Sequence, residues 1–166
     1  MMRAIRAFGA LVLLAGAAAA EPPRLASVFT DHMVLQRDRP VTLFGTAEPG
    51  MAFEVSLDGA PQSVQAGLDG RWWARFDPLA AGGAHTVSLT AQGKPLQTIS
   101  DLLAGDVFLC SGQSNMEWPL KNSPYGEREV AAAGNGQIRL LAISQAADLT
   151  PQPALPEGDA WSVAAP

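Results

Sequence analysis

The chain has 166 residues, enough for one or two small domains, and 16 acidic residues outweigh 11 basic ones to give a net charge of −5. The carboxylates are scattered rather than gathered in runs, which argues against nucleic-acid binding and against attraction to an anionic membrane. A single cysteine, Cys110, excludes an intramolecular disulfide.

Residues 1–20 are expected to be a secretory signal peptide. Arg3 and Arg6 make a basic start, Ala7 to Ala17 is apolar throughout, and Ala18-Ala19-Ala20 supplies the small residues of a cleavage site. The apolar stretch is too short for a membrane span, and no later run is long enough for one. Cleavage after Ala20 is expected to leave a periplasmic or secreted protein with 9 Lys and Arg against 16 Asp and Glu, a net charge of −7.

Residues 21–104 read as an all-β sandwich. Met33 to Gln36 is a short apolar strand, and Val41 to Phe44 alternates before the Glu48-Pro49-Gly50 turn. Ala52 to Leu57 alternates and ends at Asp58-Gly59, a strong hairpin signal, with Ser63 to Ala66 as its partner. Arg71 to Phe76 follows a turn at Leu68-Asp69-Gly70, and its Trp72 and Trp73 point to opposite faces, one to the core and one available to stack on a sugar. His85 to Thr90 alternates again, and Gln92 to Pro95 turns into Leu96 to Ile99. About seven short strands at roughly ten-residue spacing, separated by Gly, Pro and Asp turns, indicate a sandwich.

The pattern changes near Gly105, and residues 105–166 read as the truncated start of an α/β hydrolase domain. Val107 to Cys110 is apolar without alternation, as expected of a strand covered on both faces, with Cys110 a small core residue. Tyr125 to Ala133 holds helix formers and stops at Gly134-Asn135-Gly136, and Ile138 to Ile143 is a second apolar strand. Strand, helix and strand make a βαβ unit with right-handed parallel pairing. Such a unit is too small to cover both faces of a parallel sheet, hence the expectation of truncation.

Ser114 stands where the first of these strands turns into a helix. A serine hydroxyl at that place sits at the carboxyl edge of the sheet, near free backbone amides. It needs a base, usually a histidine oriented by a carboxylate, and donors for the oxyanion. Gly112 permits the tight turn, Gln113 and Asn115 can donate amide hydrogen bonds to substrate or oxyanion, and Trp118 is placed to line an acyl pocket. From these residues alone a second reading stays open, in which Ser111, Ser114 and Asn115 merely cap a helix. Glu117 reads as a first-turn helix carboxylate. Neither His32 nor His85 suits the role of base. Both fall in the β region, and Asp31 and His32, as neighbours on a strand, point to opposite faces.

The block from Gly105 to Pro119, Gly-Asp-Val-Phe-Leu-Cys-Ser-Gly-Gln-Ser-Asn-Met-Glu-Trp-Pro, resembles the nucleophile block of the sialate O-acetylesterase family, whose catalytic domain is of the SGNH-hydrolase, flavodoxin-like type. Phe29 to Arg37, Gly45 to Gly50, Asp69 to Trp72, Gly82-Gly83 and Ile138 to Leu140 are similar to further blocks of that family in the same order, with Phe44 and Phe108 in place of tryptophan. The resemblance implies a serine carboxylic-ester hydrolase that removes O-acetyl groups from sialic acids or related acetylated sugars, with Ser114 as nucleophile and no metal or organic cofactor. The family's catalytic histidine and its carboxylate partner lie downstream and have no matching positions here, so this chain by itself is expected to be inactive. Two other functions compete with this one. The chain is then a non-catalytic exported module whose β-sandwich binds carbohydrate, or a purely structural exported sandwich.

Overall fold

The computed structural model describes residues 21–166; the expected signal peptide, residues 1–20, lies outside them. The described chain is mostly β. In order it forms β1 (Arg24–Leu25), β2 (Val34–Gln36), β3 (Val41–Thr46), β4 (Ala52–Leu57), β5 (Ala60–Gln65), β6 (Arg71–Phe76), β7 (Gly82–Ala91), β8 (Lys94–Gly105), α1 (Gly126–Ala131), β9 (Asn135–Leu140) and β10 (Ser162–Ala164).

Local turn chemistry sets two of the pairings. Asp58-Gly59 joins β4 to β5 and Gln92-Gly93 joins β7 to β8, and all four residues have positive φ, between 51° and 79°. Two-residue hairpin loops of this kind need left-handed backbone at both positions, which Asp-Gly and a Gly-containing pair provide. The strands assemble into a sheet of order β1-β3-β6 and a second of order β2-β8-β7-β4-β5. Neighbours are antiparallel except for β2 and β8, which run parallel with Val34 opposite Leu103.

Strict alternation on β3, β4 and β6 gives both sheets an apolar face. Leu43, Trp72 and Ala74 from the first sheet and Val55, Leu57, Val87, Leu89 and Leu102 from the second belong to one buried cluster. Trp72 is its largest fully buried member. Its indole N–H donates to the Thr46 carbonyl at 3.0 Å, and its ring stands edge-on to Phe53 of β4 with centroids 5.3 Å apart. Gly45 lies beside it, where a Cβ would fall 1.9 Å from the Arg24 carbonyl oxygen and 2.9 Å from the Trp72 ring. Only glycine lets β1 approach β3 at that point.

Beyond Gly105 the structure departs from the sequence reading. Val107 to Cys110 is not a buried strand but irregular chain. Phe108 is 82% exposed, Leu109 is 91% exposed, and Cys110 is an exposed free thiol rather than a core residue. A strand apolar on both faces needs a layer on each side, and among the described residues nothing covers this one. The expected βαβ unit is absent too. β9 pairs with β10, antiparallel, with Leu140 opposite Ser162. The second apolar strand ends at Leu140 rather than reaching Ile143, and the helix is limited to six residues.

Leu89→Ala is expected to lower the free energy of unfolding by about 2–5 kcal/mol, the usual cost of emptying a filled core site. Gly45→Ala is expected to cost about 1–3 kcal/mol by overpacking, since the clash is with backbone. Urea titrations measure both, and an unchanged midpoint for Gly45→Ala would contradict the close approach of β1.

Candidate active site

The chain leaves β8 at Gly105 and stays exposed up to a short 3-10 turn, Ser114–Glu117. Gln113 precedes the turn in extended backbone, and the Met116 N–H donates to its carbonyl at 2.8 Å. A Cβ at Gly112 would lie 2.5 Å from Met116 Cγ, so the glycine leaves room for the turn to fold back. Trp118 closes the turn, its N–H donating to the Asn115 carbonyl at 3.3 Å. No side chain caps this turn, so the alternative role of Ser111, Ser114 and Asn115 as helix caps is not what the structure uses them for.

Gln113, Ser114, Asn115 and Trp118 thus share one turn, all exposed, with Trp118 61% accessible. Among the described residues the side chains of Gln113, Ser114 and Asn115 make no hydrogen bond within the protein. Glu117, on the same turn, accepts from the Gln145 side-chain amide. Two shallow surface hollows, one bordered by Phe53, Glu54 and Thr90 and the other by Phe44, Trp73 and Pro153, include neither Ser114 nor Trp118.

Both histidines are engaged elsewhere. Nδ1 of His85 lies 2.6 Å from Oδ2 of Asp58, and Nδ1 of His32 lies 2.6 Å from Oδ2 of Asp101. Burial pushes the Asp58 carboxyl up, but hydrogen bonds from His85 and the Thr86 amide outweigh it and hold the pKa below the ordinary value. The strand geometry expected at Asp31-His32 is corrected by the structure. His32 has φ 67° in a turn. Asp31 accepts from the Ser100 amide at 2.6 Å, while His32 turns to Asp101.

No family model matches the chain. Human sialate O-acetylesterase is 31% identical to it over 146 residues, 81% of this chain and 28% of that protein. The mouse sialate O-acetylesterase is 28% identical over 133 residues, 73% of this chain and 24% of that one. A solved carbohydrate acetylesterase from Xanthomonas citri superposes with a TM-score of 0.80 at 38% identity, over 86% of this chain and 33% of the other. The chain belongs to the sialate O-acetylesterase family. The resemblance carried by the Gly105–Pro119 block is therefore borne out, and the chain spans 28% or less of the length of these curated relatives.

In this member of the sialate O-acetylesterase family, β9, which follows the Ser114 turn, is tied to the β body by a cluster that sequence reasoning missed. Arg139 of β9 reaches both carboxylate oxygens of Asp101 through Nη2, at 3.1 and 3.0 Å, and shares Oδ2 with His32. Its side chain is only 4% exposed, Nη1 donates to the Gly136 carbonyl, and Nε is buried with no partner among the described residues. Asp101 sits at a bulge of β8, with φ 54°, where the register against β7 shifts. An arginine inside the apolar run Ile138-Arg139-Leu140 was the available signal, because a guanidinium is seldom buried without an anion. Further along, the Trp161 indole N–H donates to the Val28 carbonyl and its backbone N–H to Thr30 Oγ1, both at 3.1 Å. No described helix is long and apolar enough to cross a membrane.

The hydrogen bond from His32, reinforced by Arg139 against the opposing effect of burial, holds the Asp101 carboxyl below its ordinary value of 3.8. A depressed carboxylate stabilises the fold above its unfolded pKa and loses that contribution as pH falls through the lower folded value. Protection of the β9 and β10 amides, measured by hydrogen exchange corrected for intrinsic rates, is therefore expected to be flat above about pH 5 and to decline below about pH 4. Asp101→Asn is expected to reduce that protection at neutral pH and to flatten its acid decline; equal protection in the variant would refute the tie.

Proposed function

We propose that this chain carries the nucleophile of a serine carboxylic-ester hydrolase acting on O-acetylated sialic acids or related acetylated sugars. Ser114 is the nucleophile, Gln113 and Asn115 supply hydrogen bonds to substrate or oxyanion, and Trp118 borders the acyl group. Residues 21–104 form a β-sandwich and residues 105–166 the beginning of an SGNH-type esterase domain. The observation that carries the reading is the turn at Ser114, whose hydroxyl is free of any capping duty and exposed beside two side-chain amides. The names of the relatives, sialate O-acetylesterase and carbohydrate acetylesterase, support the substrate class.

In the reaction the Ser114 oxygen attacks the acetyl carbonyl carbon, its proton passing to a base and then to the departing sugar oxygen. The resulting acetyl-enzyme is hydrolysed by water, which releases acetate and restores the hydroxyl. His32 and His85 belong to the β body, each with Nδ1 against an aspartate, and among the described residues neither makes a hydrogen bond to Ser114. The basic start, apolar stretch and small residues of positions 1–20 support export to the periplasm or outside the cell, with cleavage after Ala20.

The 166-residue chain is expected to hydrolyse an aryl acetate at the background rate, with or without Ser114→Ala. Turnover that this substitution abolishes would show that a base is already present. A chimaera joining residues 21–166 to the unmatched remainder of the Xanthomonas citri enzyme is expected to turn over the same ester and to lose about 10³-fold or more with Ser114→Ala. A chimaera whose activity ignores Ser114→Ala would sink the assignment.

A further inference from the structure

The outward face of the β1-β3-β6 sheet has a composition unlike the rest of this acidic chain. Alternation that buries Leu25, Leu43, Trp72 and Ala74 turns Arg24, Thr42, Phe44, Thr46, Arg71, Trp73 and Arg75 outward. The register stacks these into rows. Arg24, Thr46 and Arg71 lie side by side, then Phe44 opposite Trp73, then Thr42 opposite Arg75. Directly opposed side chains start about 5 Å apart, and successive rows on one face are about 7 Å apart. The face is thus a pair of aromatic rings with arginines on both sides. No carboxylate occupies an outward position on any of the three strands.

Three of the nine basic residues after position 20 fall on these seven outward positions. Their charge is largely unspent. Among the described residues no ion pair engages Arg24 or Arg75, and Arg71 meets Asp69 only at 3.9 Å. Trp73 is 59% exposed, while Phe44 is held edge-on by Phe29 with ring centroids 4.9 Å apart. Pro153, from the loop before β10, closes one side of a shallow cavity of about 300 Å³ that Phe44, Thr46, Arg71 and Trp73 also line.

We propose that this face is a binding site for a carboxylated sugar unit of a glycan, separate from the Ser114 turn. The C–H face of a pyranose ring packs on the exposed Trp73 and Phe44 rings, where apolar contact and dispersion favour it. Arg71 and Arg75, two places either side of Trp73, present planar guanidinium forks that match a carboxylate. Thr42 and Thr46 offer hydroxyls to the ring substituents. The size of the face decides between a sugar and a protein partner. A sheet with six-residue strands spans about 20 Å by 10–15 Å, roughly 200–300 Å², against about 800 Å² per partner in a stable protein interface. In a protein of net charge −5, such a patch supplies the local attraction that the molecule as a whole denies an acidic glycan.

The full chain, titrated with 3′-sialyllactose and with trigalacturonate and followed by tryptophan fluorescence and calorimetry, tests this. Both acidic sugars are expected to bind about tenfold or more tightly than lactose and maltotriose. Trp73→Ala is expected to abolish binding, and Arg71→Gln and Arg75→Gln each to weaken it about fivefold or more while leaving the neutral sugars unaffected. All three side chains are exposed, so circular dichroism is expected to be unchanged, and Lys94→Gln, away from this face, should leave affinity intact. Equal affinity for acidic and neutral sugars, no binding of either acidic probe at millimolar concentration, or indifference to Trp73→Ala and Arg75→Gln would overturn the proposal. So would self-association of the chain that Trp73→Ala abolishes, since the occupant would then be a second copy.

Discussion

The packing of Trp72 between the two sheets is the constraint on which most of this structure depends. Its indole N–H is spent on its own sheet, at Thr46, and its ring meets Phe53 of the other. With that side chain inside, the period of two along β6 leaves no choice for its neighbours. Ala74 and Phe76 go in; Arg71, Trp73 and Arg75 go out. A slip of one residue would bury two arginines and expose the tryptophan, so hydrophobic burial sets the register with a large margin. The charged aromatic face is therefore produced by the same choice that builds the core.

How much of this was legible beforehand follows from the range of each interaction. Asp58-Gly59 and Gln92-Gly93 announce their hairpins because the left-handed backbone there is a local property of the residues. The alternation of β3, β4 and β6 is local in the same sense. The parallel pairing of β2 with β8 is not, since it joins Val34 to Leu103. Nor is the Asp101 cluster, whose partners stand 69 and 38 positions away. The run Val107 to Cys110 misled for a related reason. Four apolar residues declare a preference for burial, but not what would cover them, and in this structure they are exposed.

The candidate site was readable as a motif and not as a place. The Gly105–Pro119 block, together with the other blocks that match in the same order, carries the family resemblance, because the residue types and their order are local properties of the chain. What a motif cannot carry is the arrangement of groups from distant segments that catalysis requires. His32 and His85 illustrate the point. Each has the right chemistry for a base and even an aspartate on Nδ1 to orient it, but neither makes a hydrogen bond to Ser114 among the described residues. The histidine–aspartate pairs here serve the architecture, one of them by helping Asp101 hold Arg139.

The return of the chain at Trp161 to Val28 and Thr30 bears on how the protein folds. Those hydrogen bonds join residues 133 and 131 positions apart, whereas the β4–β5 hairpin closes over two. Contacts so distant along the chain form late, because the entropy of closing the intervening loop is lost before anything is gained. As the chain emerges from the ribosome, the β body can be complete before the segment from Gly105 to Trp161 is fastened to it. Until Trp161 reaches the first strands, that segment is tethered at one end only and is open to proteolysis.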